Sequence, residues 1–254
     1  MPARHPFLDH DGPIAFAHRG GTSGAPENTM AAFQDAVELG YTHVETDVHV
    51  TSDGVLVAFH DHDLERTCGI RGRIEETPWS VIERARVAGR EPIPRLEEVF
   101  STWPALRINI DCKTAEAEEP LARFLGSIDS LDRVCFGSFS DSRLSRFRAR
   151  FGDRLCTSTG PREVARLLLH SRAPRVLPVR SPALAAQVPE QQGPVRVVTR
   201  RFVDACHAVG MQVHVWTVND EHDMHRLLDL GVDGIMSDET RLLHRVMTAR
   251  REIS

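Results

Sequence analysis

Short runs of apolar and β-branched residues alternate along most of this chain with longer stretches whose apolar residues recur at helical spacing. The run IAFAH at Ile14–His18, for example, precedes a stretch in which Met30, Phe33 and Val37 fall on one helical face. Repeated strand-then-helix units predict parallel strands covered by helices. Because the chain has 254 residues, and about 250 are typical of such a barrel, we expect an α/β fold of the TIM-type (β/α)8 barrel class.

Nine segments have the composition of strands, whereas a barrel of this class closes with eight. They are Ile14–His18, His43–Val48, Val55–His60, Leu106–Asp111, Arg133–Phe139, Arg154–Thr159, Gln212–Val218, Asp233–Asp238 and a weaker one within Arg175–Val188. One of the nine is therefore predicted to lie outside the ring, and the sequence does not say which. The connection from Val48 to Gly54 is too short for a crossover helix, so the chain is expected to be irregular there.

The stretch from Cys68 to Pro94 lacks this strand–helix rhythm and holds three prolines and three glycines. We interpret it as part of an insertion at about residues 62–94, on the side of the barrel where active sites lie. Residues 1–254 are otherwise predicted to form a single domain.

The bulk composition excludes several classes of protein. The formal net charge is −5, and no cluster of Lys and Arg forms a nucleic-acid-binding stripe. Five cysteines without a CxxC pair argue against a disulfide framework and against a zinc site, and they favour a reducing compartment. The N-terminal residues lack the apolar core of a signal peptide, and no apolar run approaches the ~20 residues that span a bilayer. We therefore expect a cytoplasmic protein without stable membrane insertion, and its oligomeric state is left open.

Two pairs of charged residues stand at the ends of predicted strands. Glu45 and Asp47 lie two apart on a strand and so share one face, and Asp111 and Lys113 follow the run LRINI in the same way. Carboxylates forced together repel each other unless a cation intervenes, and oxygen ligands favour Mg²⁺ or Ca²⁺. The alternative is that one of these acids forms a buried salt bridge with Arg or Lys.

Two histidines, His18 and His60, also end predicted strands, and histidine can act as base and acid near neutral pH. Either one alone would more often be structural. Next to a cluster of carboxylates, however, the pair is interpreted as catalytic. A third histidine, His62, is predicted to point away from its neighbours.

Arg19 directly follows the first of these histidines, and a guanidinium can bind two phosphate oxygens at once. Gly20 and Gly21 come next and are expected to leave room for a closely bound ligand. Aromatic residues at other strand ends, Trp216 and Phe139, could form an apolar wall of the same cavity. The alternative for both residues is simple packing in the core. The same two interpretations apply to Phe136.

These residues belong to a set of motifs that resembles the glycerophosphodiester phosphodiesterase family. The motifs are HRG at His18–Gly20, PENT at Pro26–Thr29, ETDV at Glu45–Val48, TSDGVLVAFHD at Thr51–Asp61, WTVN at Trp216–Asn219 and GVDGIMSD at Gly231–Asp238. They extend over nearly the whole chain. Each is weak alone, but their order and joint occurrence are very specific.

The resemblance implies an α/β barrel with a small insertion after the second histidine. It also implies one divalent cation, Mg²⁺ or Ca²⁺, held by Glu45, Asp47 and Asp111. The family usually has Glu where this chain has Asp111. Because Asp is one methylene shorter, the third ligand is expected to reach the metal through water, or the metal to lie deeper.

The resemblance further implies acid/base catalysis by His18 and His60. It implies phosphate contacts from Arg19 and Lys113. Trp216 is expected to contact the substrate.

Two residues of the PENT motif are given a supporting role. Glu27 and Asn28 are interpreted as bracing Arg19 or the first helix.

The predicted reaction is metal-dependent hydrolysis of a small glycerophosphodiester to an alcohol and glycerol 3-phosphate. A related barrel phosphodiesterase acting on lysophospholipids or a glycosylated phosphodiester is the alternative, although a short insertion offers little membrane-facing rim. An inactive phosphate-binding barrel would lack part of the histidine and carboxylate set. An enolising lyase or isomerase would work on a carbon acid, which the HRG pairing and second histidine suit less well. The head group, the choice of cation, the water or cyclic-phosphate route and the identity of the acid are left open.

Overall fold

The computed structural model describes residues 4–172 and 181–253, and within them eight parallel strands form a ring. The strands are β1 Ile14–Ala17, β2 His43–Val50, β3 Arg107–Cys112, β4 Val134–Gly137, β5 Cys156–Thr157, β6 Ala185–Pro189, β7 Gln212–Trp216 and β8 Gly234–Ser237. Neighbours in the chain are neighbours in the ring, and β8 pairs with β1. Between β5 and β6 the ring is closed by a single bridge, from Ser158 to Ala185. The prediction of an α/β barrel is confirmed.

A helix follows each strand of the ring. The helices are α1 Met30–Glu38, α2 Leu96–Thr102, α3 Glu118–Ser127, α4 Asp141–Phe151, α5 Pro161–Arg172, α6 Arg200–His207, α7 Glu221–Asp229 and α8 Thr240–Ile253. In α1, Thr29 Oγ1 accepts a hydrogen bond from the Ala32 N–H, and the face that carries Phe33 is buried against the sheet. No helix in residues 4–172 or 181–253 combines the length and apolar character needed to cross a membrane.

Shorter elements connect these units. Single 3₁₀ turns lie at Pro6–Leu8, His18–Gly20, Ile74–Glu76, Leu131–Arg133 and Gly152–Arg154, and a small hairpin pairs Gln191–Gln192 with Val195–Arg196.

The ninth strand candidate, Val55–His60, is the one outside the ring. Only Leu56–Ala58 is a strand, and it runs antiparallel to β2, with Leu56 opposite Val50. The turn before it is too short for a crossover helix, so the chain can return only as a hairpin. The weak candidate within residues 175–188 appears as β6, and residues 175–180 of that range lie outside the described residues.

The segment between the hairpin strand and α2 packs around a small apolar core of its own. It contains the one-turn helices Glu65–Cys68 and Trp79–Ile82 and a hairpin of Arg86–Val87 with Glu91–Pro92. Its buried side chains, which meet Val57 of the hairpin strand, are Phe59, Leu64, Ile74, Ile82, Ala85, Val87 and Ile93. This core keeps the segment folded against the outer part of β2.

The interior of the barrel is closed at the amino-terminal ends of the strands. Phe7, Ile14, Phe16 and Met236 fill that end with apolar side chains. His43 lies among them with Nε2 2.8 Å from the carbonyl oxygen of Phe7, and burial lowers the pKa of His43 to about 3, so the ring is neutral. Access to the interior is therefore from the carboxyl-terminal ends, where barrel active sites form.

Phe136 and Phe139, near the end of β4, have opposite environments. Phe136 is fully buried and stacks on Phe147 with ring centroids 3.8 Å apart, whereas Phe139 is 67% exposed. We expect Phe136→Ala to lower the free energy of unfolding by about 3–5 kcal/mol, because it removes buried contacts and leaves a cavity. Phe139→Ala is the matched control, with an expected change within about 0.5 kcal/mol. Urea denaturation measures the free energy of unfolding of both variants. Equal small losses would contradict the burial of Phe136 against Phe147.

Candidate active site

The acids predicted at the ends of β2 and β3 lie side by side at the open end of the barrel. Asp47 is the register partner of Asp111 on the neighbouring strand, and Glu45 precedes Asp47 by one inward-facing position. Lys113 Nζ lies between the two aspartates, 2.8 Å from Asp47 Oδ1 and 2.7 Å from Asp111 Oδ2. The structure thus brings all four residues together, and Lys113 forms the type of ion pair that the sequence left as an alternative.

Glu45, unlike Asp47 and Asp111, forms no ion pair with a described Lys or Arg side chain. Its Oε2 accepts a hydrogen bond from the Arg19 backbone N–H and lies 3.7 Å from His18 Nε2. Burial, together with the nearby charge of Asp47, raises the pKa of Glu45 to about 7. Burial would raise the pKa of Asp47 as well, but Lys113 and Arg19 outweigh it and hold that pKa below its ordinary value.

The three carboxylates fit a hard divalent cation by their donor chemistry. All donors are oxygens, and Glu45 has a raised pKa that a cation would lower by replacing the proton. The carboxylate oxygens of these three residues lie farther apart than the ligand atoms of a single bound ion do. Within the described ranges, one set of three possible ligand side chains has all its ligand atoms within 4.8 Å, and it lies elsewhere.

His18 is held at the carboxyl end of β1 by a residue from the far end of the chain. Its Nδ1 lies 2.7 Å from Asp238 Oδ1, and Asn219 Nδ2 donates to the other oxygen of Asp238 at 2.8 Å. Burial lowers the pKa of His18, but Glu45 and Asp238 outweigh that effect, so the net shift is upward from 6.5. The imidazole is therefore oriented with Nε2 towards the carboxylates and retains its proton to a higher pH than a free histidine.

We expect Asp238→Asn to lower the pKa of His18 in the metal-free protein, because the change removes a negative charge next to Nδ1. A raised folded pKa stabilises the protein below the ordinary value of 6.5, and this stabilisation is lost as pH rises through the folded pKa. The variant should lose part of that pH dependence, since Glu45 still raises the His18 pKa. An NMR titration of the His18 ring measures the pKa, and the same midpoint in both proteins would contradict the proposed ion pair.

His60 follows the hairpin strand rather than a strand of the ring. Its Nδ1 lies 2.6 Å from Asp61 Oδ1, and about a third of its side chain is exposed. The N–H of Phe59 donates to the carbonyl oxygen of Asp47, and His60 is near enough for its charge to lower the Asp47 pKa. His60 thus acts on the cluster at Asp47, whereas His18 acts on it at Glu45.

Arg19 and its neighbours surround Asp47. Arg19 donates to Glu27 Oε1 at 3.0 Å, and its Nε lies 3.3 Å from Asp47 Oδ2 without forming a hydrogen bond. Asn28 donates from Nδ2 to Asp47 at 3.0 Å and from its backbone N–H to the Arg19 carbonyl oxygen. Glu27 therefore contacts the Arg19 side chain, while Asn28 contacts the Arg19 backbone and orients Asp47.

The two glycines after Arg19 have a different role from the one expected. A Cβ on Gly20 would lie 2.9 Å from Ala32 Cβ, and a Cβ on Gly21 would lie 2.5 Å from Thr240 Cγ2. Both residues also have positive φ angles, 80° and 92°. The space next to them is filled by α1 and α8, so these glycines permit close packing rather than ligand approach.

Sequence reasoning missed three residues that hold the predicted ones in place: Asp61, Asp238 and Arg66. Arg66 donates to both oxygens of Glu27 at 2.9 and 2.7 Å and also donates to Asp61, so it links the Arg19 side of the site to the His60 side. Asp61 and Asp238 stand at the ends of motifs that carried the family resemblance. Arg66 lies outside those motifs, and no pattern distinguished it.

Trp216 ends β7 and is half-buried against the apolar interior of the barrel, so core packing is part of its role. The exposed Phe139 lies edge-on to it, with ring centroids 5.9 Å apart. A cleft of about 530 Å³ opens on another side of the site, with Glu27, Arg66 and Arg90 in its lining.

Comparisons with known proteins agree on one family. Residues 18–242 match the glycerophosphoryl diester phosphodiesterase family. The "Probable glycerophosphodiester phosphodiesterase 2" of Mycobacterium tuberculosis is 40% identical over 97% of this chain and 95% of its own length. A solved structure from Silicibacter pomeroyi, 23% identical, superposes with a TM-score of 0.81 over 96% of this chain and 97% of its own. An Oleispira antarctica phosphodiesterase solved with the product sn-glycerol-3-phosphate, 24% identical, gives 0.76 over 93% and 97%.

Proposed function

Because the chain belongs to the glycerophosphoryl diester phosphodiesterase family, and is therefore a hydrolase of phosphoric diesters, we propose that it cleaves small glycerophosphodiesters into an alcohol and glycerol 3-phosphate. The observation that carries the proposal is the cluster of Glu45, Asp47, Asp111 and Lys113 at the open end of the barrel. Two histidines flank it, and each is oriented by a separate aspartate, His18 by Asp238 and His60 by Asp61. The glycerol 3-phosphate bound to the Oleispira antarctica phosphodiesterase supports this choice of product.

Arg19 and Lys113 are proposed to bind the phosphate. Arg19 Nε is buried without a hydrogen-bond partner, and a phosphate oxygen would supply the missing acceptor. Lys113 has three N–H donors, of which two face Asp47 and Asp111, so one is available for a further oxygen. Arg19 and Lys113 thus each bring an unused N–H donor to the carboxylate cluster, where their positive charges would neutralise a bound phosphate.

The two histidines are proposed to move the protons. The raised pKa of His18 suits the acid that protonates the leaving alkoxide from Nε2, since Nδ1 faces Asp238. His60, oriented by Asp61, would then take the proton from the nucleophile. That nucleophile is water, or the neighbouring glycerol hydroxyl, in which case a cyclic phosphate forms first.

Glu45, Asp47 and Asp111 are proposed to hold one Mg²⁺ or Ca²⁺. When bound, such a cation neutralises the charge that grows on a non-bridging phosphate oxygen. Asp111 is both shorter than the glutamate usual in the family and tied to Lys113 at 2.7 Å, which supports contact through water for the third ligand.

We further propose that residues 1–254 act as one phosphodiesterase domain in the cytoplasm, with an insertion at about residues 62–94. The separate apolar core of that segment supports the insertion. All five cysteines are unpaired, which supports a reducing compartment.

A panel of glycerophosphodiesters, assayed with Mg²⁺ or Ca²⁺ and compared with lysophosphatidylcholine, tests the function. We expect glycerol 3-phosphate to be released, and glycerophosphocholine to be cleaved faster than lysophosphatidylcholine. Faster cleavage of lysophosphatidylcholine would favour the lysophospholipid alternative. If no diester releases glycerol 3-phosphate with either cation, the proposal is overturned.

A further inference from the structure

A second cluster of possible metal ligands lies farther along β2, where the strand meets the segment that follows the hairpin. It consists of His49, His62 and Glu75, whose ligand atoms all lie within 4.8 Å of one another. His49 Nδ1 lies 3.2 Å from Glu75 Oε1, and His62 Nδ1 lies 3.3 Å from the same oxygen. Instead of pointing away from its neighbours, the His62 ring meets the His49 ring edge-on at 5.2 Å. None of the three residues has a role in the proposed reaction.

The His49 ring stands between two oxygens that accept hydrogen bonds. Its Nε2 lies 3.1 Å from the carbonyl oxygen of His60, and a carbonyl oxygen can only accept, so Nε2 carries the hydrogen. A neutral imidazole has one N–H, and Nδ1 then presents a lone pair to Glu75 Oε1. Two lone pairs at this distance require a proton or a cation between them. Metal-binding histidines usually donate their other N–H to a backbone carbonyl or a carboxylate in this way.

Glu75 adds an independent observation. Its side chain is nine-tenths buried, and its Oε2 has no hydrogen-bond partner. Arg73 Nε lies 3.9 Å from that oxygen, too far for a hydrogen bond, on a side chain that is half-exposed. A buried carboxylate oxygen without a partner is unfavourable, and coordination to a cation would satisfy it.

We propose that His49, His62 and Glu75 bind one Zn²⁺. Ligands about 2.0–2.1 Å from a tetrahedral zinc are about 3.3–3.4 Å apart, close to the two distances from Glu75 Oε1. Two imidazoles with one carboxylate suit zinc better than Mg²⁺ or Ca²⁺, which prefer oxygen. His62 is more than half exposed, so the fourth position is open to water. The lack of a CxxC pair does not count against zinc here, because the three ligands include no cysteine.

The zinc would join three separate pieces of the chain near the carboxylate cluster. His49 is two residues from Asp47 on β2, and His62 is two residues from His60. The His49 ring also contacts the backbone of His60 directly. Zinc at this cluster therefore positions the loop that carries His60, and it is separate from the cation proposed for the reaction.

Zinc retention in the presence of excess Mg²⁺ tests the proposal without measuring activity. The full chain is loaded with Zn²⁺, dialysed against millimolar Mg²⁺ and analysed for metal content. We expect wild type to retain one zinc per chain, and His62→Ala and Glu75→Gln to lose it, with affinity at least about 10-fold weaker. Zinc should also raise the melting temperature of wild type, by roughly 5–10 °C at 100 times its Kd, and have little effect on His62→Ala.

Three control variants separate this site from others. His222→Ala changes an exposed histidine elsewhere, and Glu76→Gln changes the largely exposed neighbour of Glu75. Both should retain zinc, as should Glu45→Gln, which alters the proposed catalytic cation site. His62 is exposed enough that His62→Ala is expected to fold even if Glu75→Gln does not. Equal zinc retention in wild type and His62→Ala, or loss of zinc in Glu45→Gln, would overturn the proposal and leave the phosphodiesterase assignment untouched.

Discussion

Replacing His18 with alanine is expected to lower kcat by about 10²–10⁴, the usual contribution of a positioned acid or base. His18 lies between Glu45, 3.7 Å from Nε2, and Asp238, 2.7 Å from Nδ1, so its ring is fixed in both orientation and charge. A water molecule in its place would be a poorer acid without that orientation. Steady-state rates with a saturating glycerophosphodiester measure the loss.

His60→Ala is expected to have an effect of the same size, since Asp61 orients this second imidazole in a similar way. His222→Ala, at an exposed position outside the site, is the matched control and should leave kcat unchanged. All three variants should still unfold cooperatively, with His18→Ala less stable at low pH because it lacks the ion pair with Asp238. Turnover near the wild-type value in both His18→Ala and His60→Ala would remove the histidines from the mechanism.

Removing divalent cations with EDTA is expected to abolish activity, and Mg²⁺ or Ca²⁺ is expected to restore it. Among the described Lys and Arg side chains, Arg19 and Lys113 form the ion pairs with these acids, and neither forms one with Glu45. We expect Glu45→Gln to raise the Mg²⁺ or Ca²⁺ concentration needed for half-maximal rate by about 10-fold or more, because a charged ligand is lost. The activity that Mg²⁺ or Ca²⁺ restores after EDTA treatment is measured both with and without added Zn²⁺. Full activity of both proteins in EDTA would show that the reaction needs no cation.

The pH dependence of protein stability provides a second test of cation binding at Glu45. The pKa of Glu45 is raised from 4.5 to about 7 in the folded state, so the folded protein holds a proton that the unfolded chain releases. Without metal, stability should therefore fall as pH rises from about 4.5 through about 7. A bound cation replaces the proton, and Mg²⁺ or Ca²⁺ should raise the melting temperature more at pH 8 than at pH 5. An equal rise at both pH values would contradict this coupling.

The rhythm of strands and helices was sufficient to predict the barrel, because each unit buries one face of a strand and one face of a helix. It could not identify the extra strand, since Val55–His60 has the same composition as the ring strands. The short turn before it was the physical clue, because a connection of that length permits only antiparallel return. The closing contact from Ser158 to Ala185 joins distant parts of the chain and has no local signature.

The candidate site was predictable to the extent that its residues share strand faces. Glu45 with Asp47, and Asp111 with Lys113, follow from the two-residue period of a strand and the register of β2 with β3. The residues that orient the histidines do not follow from that period. Asp238 meets His18 across 220 positions of sequence, and Arg66 reaches its partners from a one-turn helix. Such contacts depend on how the ring closes.

The pairing of β1 with β8 has a consequence for biosynthesis. His18 emerges from the ribosome 220 residues before its partner Asp238. A nascent chain can fold several βα units before then, yet His18 still lacks the group that fixes its ring. The ring orientation proposed for catalysis is thus absent from any translation product that ends before β8.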